Sequence, residues 1–314
     1  MGERANETAA LSERANETAA LSERANETAA LSERANESSA PSELARSTGR
    51  APGRWRGVLL VVEHFWTWYR RNWRATAVSS VLQPLLFLLA FGVGFGSLVA
   101  GTGSAATATG GVDYIVWLAP ALLAVSTVQS AAFESTYPVL SGFKWQRTYF
   151  AMTAGPISPA QVALGHLLWV ACKMAGAGAI YIGVIAVFGG VAGPGIVVSL
   201  LVAVLTGAAV AAMVTAFSAT VENEGAAFNA LFRFVVIPMT LFSGTFFPVD
   251  RLPGWVQPVA LISPLWHGTE LARSAALGAV SQPLAVLGHL AYLSALLVLG
   301  VALATRLFAR RLAQ

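Results

Sequence analysis

The stretch IVVSLLVAVLTGAAVAAMVTAFS, residues 196–218, carries no charged side chain. As a helix it would reach about 34 Å at 1.5 Å per residue, enough to cross a hydrocarbon core of about 30 Å. So uniform a run reads as a membrane span, and the composition of the chain agrees with it. Of 314 residues, 55% are hydrophobic and 11% are charged, whereas soluble domains carry about a quarter charged residues. A soluble globular protein is excluded. The first 50 residues hold six Arg and nine Glu, out of 20 Lys+Arg and 16 Asp+Glu in the whole chain. The rest is sparsely charged and net basic, a balance that belongs beside a bilayer surface and not on nucleic acid.

Further apolar runs lie near 78–100, 114–137, 161–188, 226–247 and 283–305. With 196–218 they predict an all-α membrane protein of six transmembrane helices, and an even number puts both ends on one side. Cations flanking the spans divide unequally. Arg54, Arg56, Arg70, Arg71, Arg74, Lys144, Arg147, Arg306, Arg310 and Arg311 share one side, and Arg251 and Arg273 the other. Positive flanks face the cytoplasm, so both termini are expected there, in a multi-pass protein of the inner or plasma membrane.

Ahead of the spans, residues 1–53 read as a disordered tail. Its decapeptide ERANETAALS repeats at 3–12, 13–22 and 23–32. A ten-residue period rotates Leu11, Leu21 and Leu31 by roughly 80° per repeat, so they build no apolar stripe. Residues 54–77 follow as an amphipathic helix for the cytoplasmic membrane face. Val58, Val62, Phe65, Trp66, Tyr69 and Trp73 share one arc, and Arg56, Glu63, Thr67, Arg70, Arg71 and Arg74 the other. Residues 78–314 make the six-helix domain.

Two connections exceed what a hairpin needs. The cytoplasmic one, 138–160, reads as a short amphipathic helix closed by Gly155-Pro156 and Pro159, able to present a handle to a partner. The outer one, 248–282, sets Pro248, Pro253, Pro258 and Pro264 among Trp255, Ile262, Leu265 and Trp266. It is too apolar for a solvated loop and reads as short re-entrant or interfacial helices.

Catalytic and cofactor motifs are missing. No Gly-x4-Gly-Lys-Ser/Thr occurs, so ATP is not bound by this chain. The glycines of Gly92-x-Gly94-x-Gly96 fit close helix packing better than a nucleotide loop. His267 and Glu270 stand one turn apart with no second histidine near in sequence, and His64, His166 and His289 are scattered, so no metal site is expected. The single cysteine, Cys172, allows no intrachain disulfide.

Two cations fall inside spans. Lys173 lies 12 residues into the third, hence about 18 Å along it and near mid-membrane. No acid is expected at its depth, which makes it a candidate pathway residue favouring anionic or polar substrate groups; bonding to backbone carbonyls near Gly176 and Gly178 is the structural alternative. Arg233 is expected to pair with Glu134, Glu222 or Glu224 as a structural ion pair.

The segment FNALFRFVVIPMTLFSGTFFPVDRLPG, 228–254, followed by ISPLWH, 262–267, resembles the signature of ABC-2 type permeases, nearest the nodulation-factor and daunorubicin-resistance exporter branch. The resemblance covers about 55–314. It implies a permease that dimerises with a second copy or a related permease and is driven by separate ABC ATPase subunits, which hold the ATP and magnesium, so that the chain is no enzyme by itself. It implies export of small amphipathic drugs, lipids or glycolipids, with 54–74 as interface helix and 138–160 as coupling helix. Phe143, Lys144, Trp145 and Arg147 are then the ATPase-coupling residues. An ion-coupled secondary transporter is the alternative, although only Asp113 and Glu134 approach the spans, at their ends; a membrane scaffold is a third reading.

Overall fold

The computed structural model describes residues 53–87, 89–90, 112–222, 224–278 and 282–313. The readings placed on residues 1–52, on Gly92 to Gly96 and on the remainder of the first span at 88 and 91–100 lie outside these residues. Among the described residues every regular element is helical, with no strand.

Helix α1, Arg54–Phe87, runs unbroken through residue 77, so backbone geometry marks no boundary between the expected surface helix and the following span. It packs against α5, Pro159–Val187. Val58 and Val61 are buried there, and Phe65 and Tyr69 lay their rings around Trp169. A Cβ on Gly165 would come within 2.5 Å of the Val61 Cβ, so the glycine is what lets the two backbones approach. The expected arc is displaced by this packing. Val61, outside it, is fully buried, whereas Trp66 is 52% exposed.

Helix α2, Tyr114–Glu134, is capped by Asp113 and continues after a bend at Ser135 and Thr136 into α3, Tyr137–Phe143. The two form one 30-residue apolar stretch. A six-residue helix α4, Thr148–Thr153, precedes α5, whose start is fixed by a reciprocal bond pair: Gln161 N–H donates to Ser158 Oγ and Ser158 N–H to Gln161 Oε1. The expected single helix of 138–160 is thus two short ones joined by a tight turn.

Helix α6, Ile196–Ser218, sits at the centre, packed against α2, α5 and two later helices. Its small residues allow this: Ala203, Ala209, Ala211 and Ala212 are buried on more than one side. The chain then forms α7, Glu224–Leu231, a π turn at Phe232–Val236, and α8, Ile237–Phe242. Pro238 brings no backbone N–H to the ladder, and the widened turn precedes it. The helix is released at Ser243, and Gly244 takes a φ of +74° that a side chain would resist. The expected 226–247 span is therefore a shorter apolar helix, Ala226–Phe242. The outer connection holds a 3-10 turn at Val249–Arg251, then α9, Gln257–Ile262, and α10, Pro264–Leu277; α11, Pro283–Leu312, closes the fold.

Four helices among the described residues are long and apolar enough to cross a membrane: Tyr114–Phe143, Pro159–Val187, Ile196–Ser218 and Pro283–Leu312. These correspond to four of the six expected spans.

Candidate functional site

At one end of the helices, the ends of α3, α6 and α11 and the start of α4 meet in an aromatic cluster. The Phe143 ring lies 4.8 Å from that of Phe308 and 4.9 Å from that of Tyr149. The Arg311 guanidinium caps Phe143 at 4.4 Å and donates to the Ser218 and Ala219 carbonyls, which terminate α6 without intrahelical partners. Lys144 Nζ donates to the Glu222 carbonyl at 3.2 Å. The hairpin α3–α4 is thereby tied to the following connection. Beyond this base its tip projects. Lys144, Trp145, Gln146 and Arg147 are all exposed, Trp145 by 53%, and Arg147 holds the turn in the left-handed region at φ 51°.

The four residues expected to act together therefore divide. Phe143 is 3% exposed and faces its own chain, because closing the hairpin requires an apolar plug under the turn. Trp145 stands exposed at the tip, whereas Lys144 is held to the Glu222 carbonyl and the Arg147 guanidinium lies 5.5 Å over the Phe150 ring.

Lys173 departs from expectation more sharply. Its Nζ donates to Glu134 Oε1 at 2.6 Å, with side-chain exposures of 16% and 21%, and stands 5.5 Å above the Tyr69 ring. Among the described residues its partner is thus an acid and not a backbone carbonyl. The physical reason lies in where the second span ends. The apolar stretch runs on through α3 to Phe143, so Glu134 sits inside it, level with Lys173, and not at its mouth. This pairing also removes Glu134 from Arg233. Arg233 is exposed on the π turn and makes no ion pair with Glu134 or Glu222 among the described residues; the Glu224 side chain lies outside them.

At the opposite end Arg273, counted from sequence as an outer flanking charge, is 6% exposed. Its guanidinium lies 3.6 Å from the Trp117 ring centre and donates to the Gly244, Thr245 and Trp117 carbonyls and to Glu270. Burial lowers its pKa to about 10 while Glu270 and Tyr114 pull upward, so it stays charged at neutral pH. Trp117, Asp250, Trp266, Glu270 and Arg273 border a cavity of about 290 Å³. Beside it His267 Nδ1 stands 2.7 Å from His289 Nδ1, with the His267 ring stacked on Tyr292. His267, expected to have no histidine partner, thus meets His289, although no metal-binding group of three forms among the described residues. No local pattern announces these contacts, since Arg273 and Trp117 are 156 positions apart.

A bundle of apolar helices with a tied hairpin at one end and short helices at the other can now be set beside known proteins. The family described as ABC-2 type transporter matches residues 57–277. The chain belongs to that family. Nodulation protein J of Rhizobium meliloti (strain 1021) is 33% identical over 264 residues, covering 79% of this chain and 94% of that protein. Nodulation protein J of Rhizobium leguminosarum bv. trifolii is 34% identical over 256 residues, covering 78% and 92%. This ABC-2 chain is accordingly an integral membrane transport protein, and the family match runs from α1 to the end of α10.

Proposed function

We infer that the chain is the membrane permease of an ATP-driven exporter, moving amphipathic drugs, lipids or glycolipids out of the cytoplasm. A separate ABC ATPase subunit, carrying ATP and magnesium, docks on the hairpin tip. The observation that carries this reading is the exposed Trp145, flanked by Lys144 and Arg147 and held on a buried Phe143 base. An aromatic anchor ringed by charge on a rigid support is how a small surface binds strongly. The membrane is the cytoplasmic one, with both termini and the hairpin inside, and a second permease copy or a related one completes the path.

The ion-coupled alternative has less support. Glu134 is engaged by Lys173, and Asp113 is engaged as the cap of α2. The test is affinity purification of the tagged full chain from its native membrane. An ATPase subunit should co-purify, and Trp145→Ala with Arg147→Ala should lose it at unchanged membrane abundance. Full transport by that double variant would remove the hairpin from coupling.

A further inference from the structure

Ser135 and Thr215 are fully buried and His166 is 1% exposed. Ser135 Oγ, Thr215 Oγ1 and His166 Nε2 have no hydrogen-bond partner among the described residues. These atoms belong to three separate elements, the end of α2, α6 and α5. An unpaired buried polar group costs about 1–3 kcal/mol, so three at one place demand an account.

Helix register brings them to one level. A Cβ on Gly207 would fall 2.6 Å from Met174 Sδ and 3.1 Å from the Thr127 carbonyl, so 127, 174 and 207 lie side by side. One turn nearer the hairpin, Ala131, Val170 and Ala211 pack in a single cluster. One turn further is Ser135, His166 and Thr215, four positions onward along the parallel α2 and α6 and four back along the antiparallel α5. The Glu134 backbone lies close to the His166 ring, though not in a hydrogen bond with Nε2, which sets Ser135 beside His166 independently of the register.

We propose that these three side chains bind one buried water molecule, which joins α2, α5 and α6 directly beneath the hairpin. A buried water makes about three hydrogen bonds to groups of this kind. In the tautomer that this site requires, the Tyr149 hydroxyl donates to His166 Nδ1, 3.4 Å away. Nε2 then carries the hydrogen and donates to the water oxygen, and the water gives its two hydrogens to the Ser135 and Thr215 hydroxyls. The three groups are all neutral and enclosed, which suits water and shuts out a substrate headgroup. Because Tyr149 packs edge-on against Phe143, the water extends the hairpin's base into three spans at once.

Radiolytic hydroxyl footprinting of the full chain in lipid nanodiscs tests this, since bound water labels the buried side chains it touches. His166 should be oxidised despite its burial, and after brief transfer into heavy-oxygen water it should still incorporate ordinary oxygen. Ser135→Ala with Thr215→Val should abolish His166 labelling while Trp145 labelling stays unchanged. Thr215→Ser, which keeps the hydroxyl, should retain it, and the pair Thr215→Val and Thr215→Ser gives the same comparison where the double variant does not fold. His166 labelled no more than the buried Phe228, or labelled equally in the double variant, overturns the water site.

Discussion

The Lys173 ammonium and the Glu134 carboxylate, 39 positions apart in sequence, meet at 2.6 Å within the apolar part of the bundle. Each is the other's solution to the same problem. An ion transferred from water into hydrocarbon loses several kcal/mol of solvation, and a contact this close returns enough of it only while both partners are present.

Removing one partner should therefore be worse than removing both. Lys173→Met leaves a part-buried carboxylate without its cation, and we expect a loss of about 3 kcal/mol in folding stability, with lower membrane abundance. Lys173→Met combined with Glu134→Gln should recover most of it. Thermal unfolding of the purified single and double variants measures the difference. A single variant as stable as the parent, with altered substrate choice, would instead return Lys173 to the transport pathway.

Within the hairpin, Phe143 and Trp145 should separate stability from partner binding. Phe143→Ala empties the space beneath Arg311, Tyr149 and Phe308 and is expected to cost about 3–5 kcal/mol. Trp145→Ala, at an exposed turn, should change stability by about 0.5 kcal/mol or less while weakening ATPase association. Unfolding curves and co-purification, read side by side, distinguish the two. Equal stability losses would mean that Trp145 is packed within this chain.

Arg273 is expected to tolerate no substitution. Its fork serves three carbonyls and Glu270, and a lysine cannot span them while facing Trp117. Arg273→Lys should lower the melting temperature, and Arg273→Ala should lower it further by leaving the Gly244 and Thr245 carbonyls without their donor. Parent-like melting of Arg273→Ala would show that the 244–245 turn is held by something else.

The His267 imidazole gives a pH dependence of definite sign. Burial, and then the adjacent His289, lower its pKa to about 4 against the hydrogen bond with the Leu261 backbone. The unfolded chain, with an ordinary pKa of about 6.5, takes up the proton first. The stability contributed by the neutral ring is thus complete above that pH and declines as pH falls toward 4. Melting temperature followed from neutral to acidic pH should drop over this window in the parent and less in His267→Gln. Identical profiles would end the assignment.

Topology can be read with cysteines placed in a Cys172-free background. Thr102→Cys and Gln257→Cys should react with an impermeant thiol reagent on intact cells, and Ser141→Cys should not. The opposite pattern would reverse the orientation inferred from the flanking arginines.

Much of this architecture was determined by sequence alone. Residues 196–218 are helical and central because an uncharged run can satisfy its backbone in hydrocarbon only as a helix, and because its alanines let neighbours close in on several sides. The motif at 228–254 was legible as a family signature because it is a local string. Pairings across the bundle were not. The spacing of Glu134 put it at the mouth of a span, and only the bend at Ser135, with the helix resuming to Phe143, carried it to the level of Lys173. Arg273 read as a surface charge until α10 folded it over Trp117, and the histidines read as isolated until α10 met α11. Local sequence fixes which segments become helices, since apolar length and backbone satisfaction act within one segment. Which polar groups meet depends on the register and depth at which helices pack, and those are decided by side-chain fit between segments far apart in the chain.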